Sequence, residues 1–328
     1  MMNSIECKNI LITGGTGSFG QRFVQILLER YHPKRIVVFS RDEFKQGNMG
    51  RADQLQLVIG NVRDEVALRR AMSGIDIVVH AAAMKQIPCC ESNPLEAIRT
   101  NVLGSARVIS AAIDSGVAQV LCTSTDKAVH PVNLYGATKM CMEKLFVQAN
   151  AYSNTMFSCV RYGNVAMSRG SVLPFFLSRK GTGYLPITDP RMTRYWLDLD
   201  SAINLVINCL HSSFGQEIFV PKLKSFKVAD LATAVNPKAE QRVVGIRPGE
   251  KIHETLVSFE EARHTLETED MFIVLPKSQV DSYQKRLDRV GTISKRLPDG
   301  FAFTSDNNDQ WLDVDQLRFK IGPSPDYM

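Results

Sequence analysis

The sequence predicts an α/β fold, a Rossmann-like doubly wound parallel sheet with a smaller C-terminal region. Three observations carry this. Up to Arg161, short apolar runs alternate with helically spaced segments, as strands and crossover helices do in a parallel sheet. A glycine-rich turn joins the first run to the first helical segment. After Arg161 the regularity fades, and Gly, Pro and Arg cluster from Gly163 to Arg194.

The elements follow in order. Lys8–Thr13 reads as a strand, and Ser18–Arg30 as a helix with Phe19, Phe23, Ile26 and Leu27 at helical spacing. Arg35–Phe39, Leu55–Ile59 and Ile75–Val79 are the next three strands. All are nearly all apolar, so each is expected to be covered on both faces. Pro94–Ser115 reads as one long helix, Ala118–Thr123 as a fifth strand, Tyr135–Asn150 as a helix and Met156–Arg161 as a sixth strand. Beyond these, helices are expected at Asp200–His211 and Val228–Val235, with short strands near Glu217–Val220 and Val243–Ile246. This half reads as a cap built from insertions, and the polar tail after Pro276 is expected to wrap over the body.

Composition narrows the class. The chain has 328 residues, 44% hydrophobic and 22% charged. Such values exclude global disorder, collagen and coiled coil, and the length suits two domains or one α/β body with an appendage. No apolar run is long enough to span a membrane, and MMNSIECKNI lacks the pattern of a signal peptide. The net charge of +5 comes from 39 basic and 34 acidic residues. It is mild and spread along the chain, which fits a polyanionic small molecule and argues against a nucleic-acid partner. The seven cysteines lack CxxC spacing, so free thiols of a reducing cytoplasm are expected. The scattered histidines predict no metal site.

Thr13–Gly20 lies between the first strand and the first helix. Gly14, Gly17 and Gly20 form GxxGxxG. The first glycine permits the turn, the second lets backbone approach a pyrophosphate, and the third lets helix and strand pack closely. The helix N-terminus offers free N–H groups to phosphate. Gly14, Thr16, Gly17, Ser18 and Phe19 are therefore candidate cofactor contacts. At the end of the second strand, Ser40 and Arg41 can accept the 2′-phosphate of NADP, whereas Asp42 keeps NAD possible. Lys45 belongs to the same segment. Asn61 can bond the adenine edge, with Val62 beside it. Ala81 and Lys85, after the fourth strand, complete the cofactor set, and His80 is expected to pack beneath it. Residues 1–165 are thus the expected NADP-binding domain and residues 166–328 the substrate-binding region.

Tyr135 and Lys139 are four apart on the predicted helix and share a face. An ammonium beside a phenol lowers its pKa, and the same lysine can hold the nicotinamide ribose. Together these features resemble the extended short-chain dehydrogenase/reductase superfamily. A narrower likeness lies in SRDEFKQ (Ser40–Gln46), HAAAMKQIP (His80–Pro88), STDKAVHPVNLYGATK (Ser124–Lys139), RYGNV (Arg161–Val165), SRGSVLPFF (Ser168–Phe176), ITDPRMTR (Ile187–Arg194), GIRPGEKIHE (Gly245–Glu254) and TSDNNDQWL (Thr304–Leu312). These resemble the UDP-N-acetylglucosamine 4,6-dehydratases, above all the soluble C5-inverting type that opens pseudaminic acid and related polysaccharide pathways. The Thr-Asp-Lys triplet is the most specific part, since dTDP-glucose dehydratases have Asp-Glu there.

The resemblance implies roles. Tyr135 takes the 4-hydroxyl proton while C4 gives hydride to NADP, with Lys139 supporting it. Lys127 removes the C5 proton, and Asp126, aided by Thr125, protonates the departing 6-hydroxyl. Hydride returns to C6, and reprotonation from the opposite face inverts C5. Such a base needs a depressed pKa, which Lys139 and the nicotinamide charge are expected to supply. Lys85, Lys127, Asn164, Arg169, Arg247 and Glu250 are the implied substrate contacts. Arg191 and Arg194 are either phosphate ligands or surface charges. A homo-oligomer is expected by analogy.

Three departures stand out: Asn61 where Asp is common, Cys89-Cys90 where small residues are usual, and His130, read as a loop residue, where Asn is usual. A UDP-sugar 4-epimerase shares the fold and the Tyr/Lys pair but needs neither Asp126 nor Lys127. Retaining dehydratases tend to carry Met in place of Tyr135 and an N-terminal membrane region. A non-catalytic NADP-binding scaffold usually lacks the Tyr or Lys.

Overall fold

A computed structural model describes residues 5–168 and 170–322. The first half comprises β1 (Asn9–Thr13), α1 (Ser18–Arg30), β2 (Arg35–Ser40), α2 (Glu43–Gly47), β3 (Leu55–Ile59), α3 (Glu65–Met72) and β4 (Ile77–His80). Then come α4 (Ile87–Ser92), α5 (Pro94–Ala97), a π-helical turn (Ile98–Leu103), α6 (Gly104–Asp114), β5 (Gln119–Thr123), a 3-10 turn (Asp126–Ala128), α7 (Leu134–Ala149) and β6 (Met156–Val160). The second half adds α8 (Val172–Ser178), β7 (Tyr184–Ile187), β8 (Thr193–Tyr195), α9 (Leu199–Ser212), β9 (Ile218–Pro221), β10 (Ser225–Lys227), α10 (Val228–Val235) and β11 (Glu240–Val243). It closes with β12 (Thr255–Val257), α11 (Phe259–Ala262), β13 (Thr265–Glu267), β14 (Met271–Val274), a 3-10 turn (Lys277–Gln279), α12 (Val280–Arg289), β15 (Lys295–Arg296), β16 (Phe303–Thr304) and α13 (Val314–Ile321).

One sheet of ten strands runs in the order β15-β13-β14-β9-β6-β5-β4-β1-β2-β3. Strands β1 to β6 and β9 are parallel, so the doubly wound expectation holds. Strands β14, β13 and β15 extend it antiparallel. The chain winds one way from β1 to β3 and the other way from β4 to β6. The switch point between β1 and β4 opens a crevice at the strands' C-terminal ends, where such sheets bind ligands.

The second half thus continues the main sheet. It also builds a smaller apolar core of its own around Phe176, Leu185, Trp196, Phe226, Leu231 and Leu317. Tyr283 and Leu287 of α12 pack into the main core, so the tail wraps over the body as expected.

Three expectations needed correction. Strand β3 is an edge strand, with Leu57 and Ile59 exposed, because it pairs with β2 on one side only. The helix expected from Pro94 to Ser115 is interrupted by the π turn. That turn aims Asn101 inward, where it accepts from the Met84 N–H at 2.8 Å and donates to the Met84 carbonyl at 2.8 Å. A π bulge often marks a functional position. The strand expected near Val243–Ile246 lies earlier, at Glu240–Val243.

Candidate active site

The phosphate turn is shaped by backbone contact. Gly14 sits at φ +70°, and a Cβ there would lie 2.8 Å from the Ala82 Cα. Gly17 is the N-cap of α1 and provides no side-chain acceptor, so the first N–H groups of a 13-residue helix face the crevice without a cap. Both features fit a dinucleotide pyrophosphate. Thr16 is buried, Ser18 and Phe19 are half-buried, and Phe19 stacks on Phe23. Ser40 is buried and accepts from Gln46 Nε2 at 2.9 Å. Asp42 caps α2 through the Lys45 N–H at 2.9 Å and pairs with the Lys45 ammonium, while Arg41 is exposed. Asn61 accepts from the Arg63 N–H at 3.1 Å, and Val62 is buried. Ala81 is half-buried, and Lys85 is exposed on the loop after β4.

Beneath the turn, His80 bridges Thr13 and Ser105. Its Nδ1 lies 2.7 Å from Thr13 Oγ1 and its Nε2 3.1 Å from Ser105 Oγ. Ser105 spends its own proton on the Asn101 carbonyl at 2.6 Å, so His80 Nε2 donates to it. Burial, with Lys139 adding, pushes His80 down to about 3 and keeps it neutral.

The second cluster begins where β5 ends. Thr125 caps the 3-10 turn, accepting from the Lys127 N–H at 3.3 Å and donating to Asp126 Oδ1 at 2.9 Å. Asp126 is fully buried, and its Oδ2 has no hydrogen-bond partner. Lys127 Nζ donates to Asp126 Oδ1 at 3.1 Å and Asn164 Oδ1 at 3.0 Å, and lies 3.3 Å from Glu254 Oε1. Helix α7 presses onto this turn: a Cβ on Gly136 would lie 2.0 Å from the Lys127 carbonyl oxygen. Only glycine permits that approach, and it brings Tyr135 beside Lys127. Asn133 caps α7 through the Gly136 N–H at 2.8 Å and holds the Gly249 carbonyl at 2.8 Å.

Charge in this cluster differs from expectation. Burial alone would depress Lys127, but Asp126 and Glu254 overcome it and hold the ammonium well above its usual range. The expected depressed base is therefore corrected: two carboxylates outweigh burial and the repulsion of Arg194. Burial raises Asp126, with Lys127 opposing and Glu254 adding to it. It pushes the Tyr135 phenol up to about 12, while Lys127 and the Thr125 hydroxyl draw it back. Lys139 is not among the strongest influences on it. Its ammonium donates to the Thr123 carbonyl at 2.6 Å and touches Met142 Sδ, and burial lowers its pKa.

Thr125, Asp126, Lys127, Tyr135 and Asn164 thus come together. Arg247 stands apart, its side chain 73% exposed and paired with Glu250 at 2.5 Å. Arg169 lies outside the described residues. Arg191 is exposed and paired with Asp189 at 2.8 Å. Arg194 is buried and donates to the carbonyls of Thr193, Lys251 and Ile252, so it is not a surface charge. His130 is exposed, 3.0 Å from Glu260. Sequence reasoning missed Glu254 and Asn101. Glu254 ends the GIRPGEKIHE segment, yet no local spacing marks it as a partner of Lys127.

The family described as polysaccharide biosynthesis protein matches residues 10–276. The UDP-N-acetylglucosamine 4,6-dehydratase (inverting) of Campylobacter jejuni strain 81-176 is 44% identical over 320 residues, 94% of this chain and 96% of that protein. A UDP-glucose 4-epimerase of Rickettsia canadensis is 44% identical over 268 residues, 77% of this chain and 79% of that protein. The solved structure of Pen from Bacillus thuringiensis is 35% identical with a TM-score of 0.86, covering 97% of this chain and 98% of that one.

Proposed function

From the premise that this chain belongs to the polysaccharide biosynthesis protein family, we propose that it is a UDP-N-acetylglucosamine 4,6-dehydratase that inverts C5. The observation that carries the reading is the Thr125–Asp126–Lys127 unit, with Asp126 fully buried and Lys127 half-buried, beside Tyr135. An epimerase needs a base for the 4-hydroxyl alone. This chain adds a buried acid and an amine.

The bound dinucleotide supplies a reversible acceptor and donor of hydride. Tyr135 takes the proton of the sugar 4-hydroxyl, favoured by Lys127 and Thr125. The ion pair at 3.1 Å and an acid–base pair contain the same protons. Moving one proton from Lys127 Nζ to Asp126 Oδ1 yields a neutral amine and a carboxylic acid; burial of both groups favours that move, and the pull of Glu254 on the ammonium opposes it. Lys127 then takes the C5 proton, and Asp126 protonates the departing 6-hydroxyl. Reprotonation of C5 from the opposite face inverts that centre.

For the dinucleotide we favour NADP over NAD. Asp42 is engaged by Lys45, whereas Arg41 is exposed and forms no ion pair among the described residues. Gly14, Thr16, Gly17, Ser18, Phe19, Ser40, Asn61, Val62, Ala81 and Lys139 line the same site. Residues 1–165 bind the dinucleotide and residues 166–328 complete the sugar-nucleotide site. Lys85, Asn164, Arg169, Arg247 and Glu250 contact the UDP-sugar. We assign the protein to the cytoplasm and to a homo-oligomer. Among the described residues no helix is long and apolar enough to cross a membrane.

Incubation with UDP-N-acetylglucosamine in deuterated water tests the reading. The expected product is a 4-keto-6-deoxy sugar bearing deuterium at C5, with inverted coupling constants by NMR. Change at C4 alone would instead support the epimerase, the reading favoured by the Rickettsia relative.

A further inference from the structure

Glu254 has no role in the reaction as described, yet it is 2% exposed and faces Lys127. The two residues come from opposite halves of the chain. Glu254 is fixed independently of Lys127: its N–H donates to Ser305 Oγ at 2.9 Å, and its carbonyl accepts from the Ser305 N–H at 2.8 Å. Its Oε1 lies 3.3 Å from Lys127 Nζ and 3.7 Å from Arg194 Nε. Its Oε2 is buried with no hydrogen-bond partner. Leaving a buried carboxylate oxygen bare costs about 1–3 kcal/mol or more. A carboxylate kept only for packing is better placed where both oxygens are bonded.

The geometry fixes the ammonium. Asp126 and Asn164 accept two of its protons, and Glu254 Oε1 lies 3.3 Å away as a second ion-pair partner. A carboxylate behind a base orients it and stabilises the cation it becomes, as the aspartate does for histidine in a catalytic triad. Resting on the dehydratase reading, we propose that Glu254 is a positioning residue for Lys127. It aims the amine at the sugar C5 and balances the positive charge formed when that amine accepts the C5 proton.

The step balances. It starts from the Lys127 amine and the Asp126 carboxylic acid. The amine lone pair bonds the C5 proton, the C5–H electron pair becomes the second C5–C6 bond, and the C6–O bond breaks. The oxygen leaves as water with the Asp126 proton. The cluster ends as a carboxylate and an ammonium, while Glu254 stays ionised throughout. The charged groups acting around Glu254 are Lys127 and Asp126 on the 3-10 turn, Arg194 on β8 and Lys251 on its own loop, with the Tyr195 phenol beside them.

The test follows deuterium entry at C5 of UDP-N-acetylglucosamine against pH, in the full chain loaded with NADP. Glu254→Gln keeps the shape and removes the charge. Its ascending acid limb should move down by about one pH unit or more. Its kcat should fall by about 30-fold or more with KM within about threefold of wild type. Glu254→Asp should restore the limb to within about 0.3 pH units while staying slower. A Glu254→Gln limb that does not move overturns the proposal, as does a rise in KM with unchanged kcat. Loss of NADP binding in Glu254→Gln also overturns it, because the carboxylate is then needed for the fold. If wild-type protein incorporates no deuterium at C5, the dehydratase reading fails instead.

Discussion

Two clusters in this molecule each set a cation between two carboxylates, the second with Arg194 also beside Glu254 at 3.7 Å, and they are finished differently. Around Arg161, all five guanidinium protons are used: on Glu143 at 3.0 and 2.7 Å, on Glu261 at 2.9 and 2.8 Å, and on the Leu256 carbonyl at 2.8 Å. No carboxylate oxygen there is left bare. Around Lys127, Asp126 Oδ2 and Glu254 Oε2 are both buried and unpartnered. Arginine cannot give up its proton in a protein, whereas a buried lysine can. A satisfied network rigidifies, whereas around Lys127 two carboxylate oxygens stand open to accept a proton. Each central cation faces two carboxylates, so the hydrogen-bond count separates the brace from the proposed acid–base centre.

The largest effect that would sharpen this contrast is chemical. Lys127→Ala should cut C5 deuterium incorporation by about 10²–10⁴-fold and leave NADP binding intact. Normal exchange in that variant would remove Lys127 from the reaction. Next, Arg161→Met strands two carboxylates in the interior and should destabilise the protein by about 3–5 kcal/mol, read from urea unfolding midpoints. Arg161→Lys should recover little, with three donors facing five positions. A mild phenotype in both would break the distinction between brace and reactive centre.

His80 offers a smaller, pH-dependent check on a third buried network, one that is neutral. Its folded pKa of about 3 lies below the unfolded value of about 6.5. The unfolded chain therefore binds the proton first. The stability from a neutral His80 is complete above about pH 6.5 and falls, by up to about 1.4 kcal/mol per pH unit, as pH drops toward about 3. Unfolding free energies measured from neutral pH to about pH 5 should show this slope, and His80→Gln should flatten it. Smallest of all, Arg247→Ala should raise KM for UDP-N-acetylglucosamine by about three- to tenfold at unchanged kcat, since the side chain is 73% exposed. An unchanged KM would place Arg247 off the nucleotide.

What the sequence disclosed follows the range of the interactions. The helix Ser18–Arg30 and the six parallel strands were legible because their signal is local: apolar periodicity bounded by turns. The interruption at Ile98–Leu103 was not, since a π turn is selected by what Asn101 and Thr100 reach across space. Strands β13 and β15 are only three and two residues long and join the sheet antiparallel, too short to show a period. Thr125, Asp126, Lys127 and Tyr135 were found through a contiguous motif. Glu254 lies 127 positions beyond Lys127, and only the fold brings them to 3.3 Å. The charge state of Lys127 was misjudged for that reason.

The unbroken sheet from β3 to β15 has a mechanical consequence. Strands β6 and β9 belong to different halves and are joined edge to edge by backbone hydrogen bonds, so the sheet strands of the second half move with those of the first. Under the proposed function, admission and release of the sugar nucleotide would fall to the parts outside that sheet, among them the loop carrying Arg247. Asn133 ties that loop, at Gly249, to the first turn of α7. A tug on the rim is thereby felt two residues from the phenol.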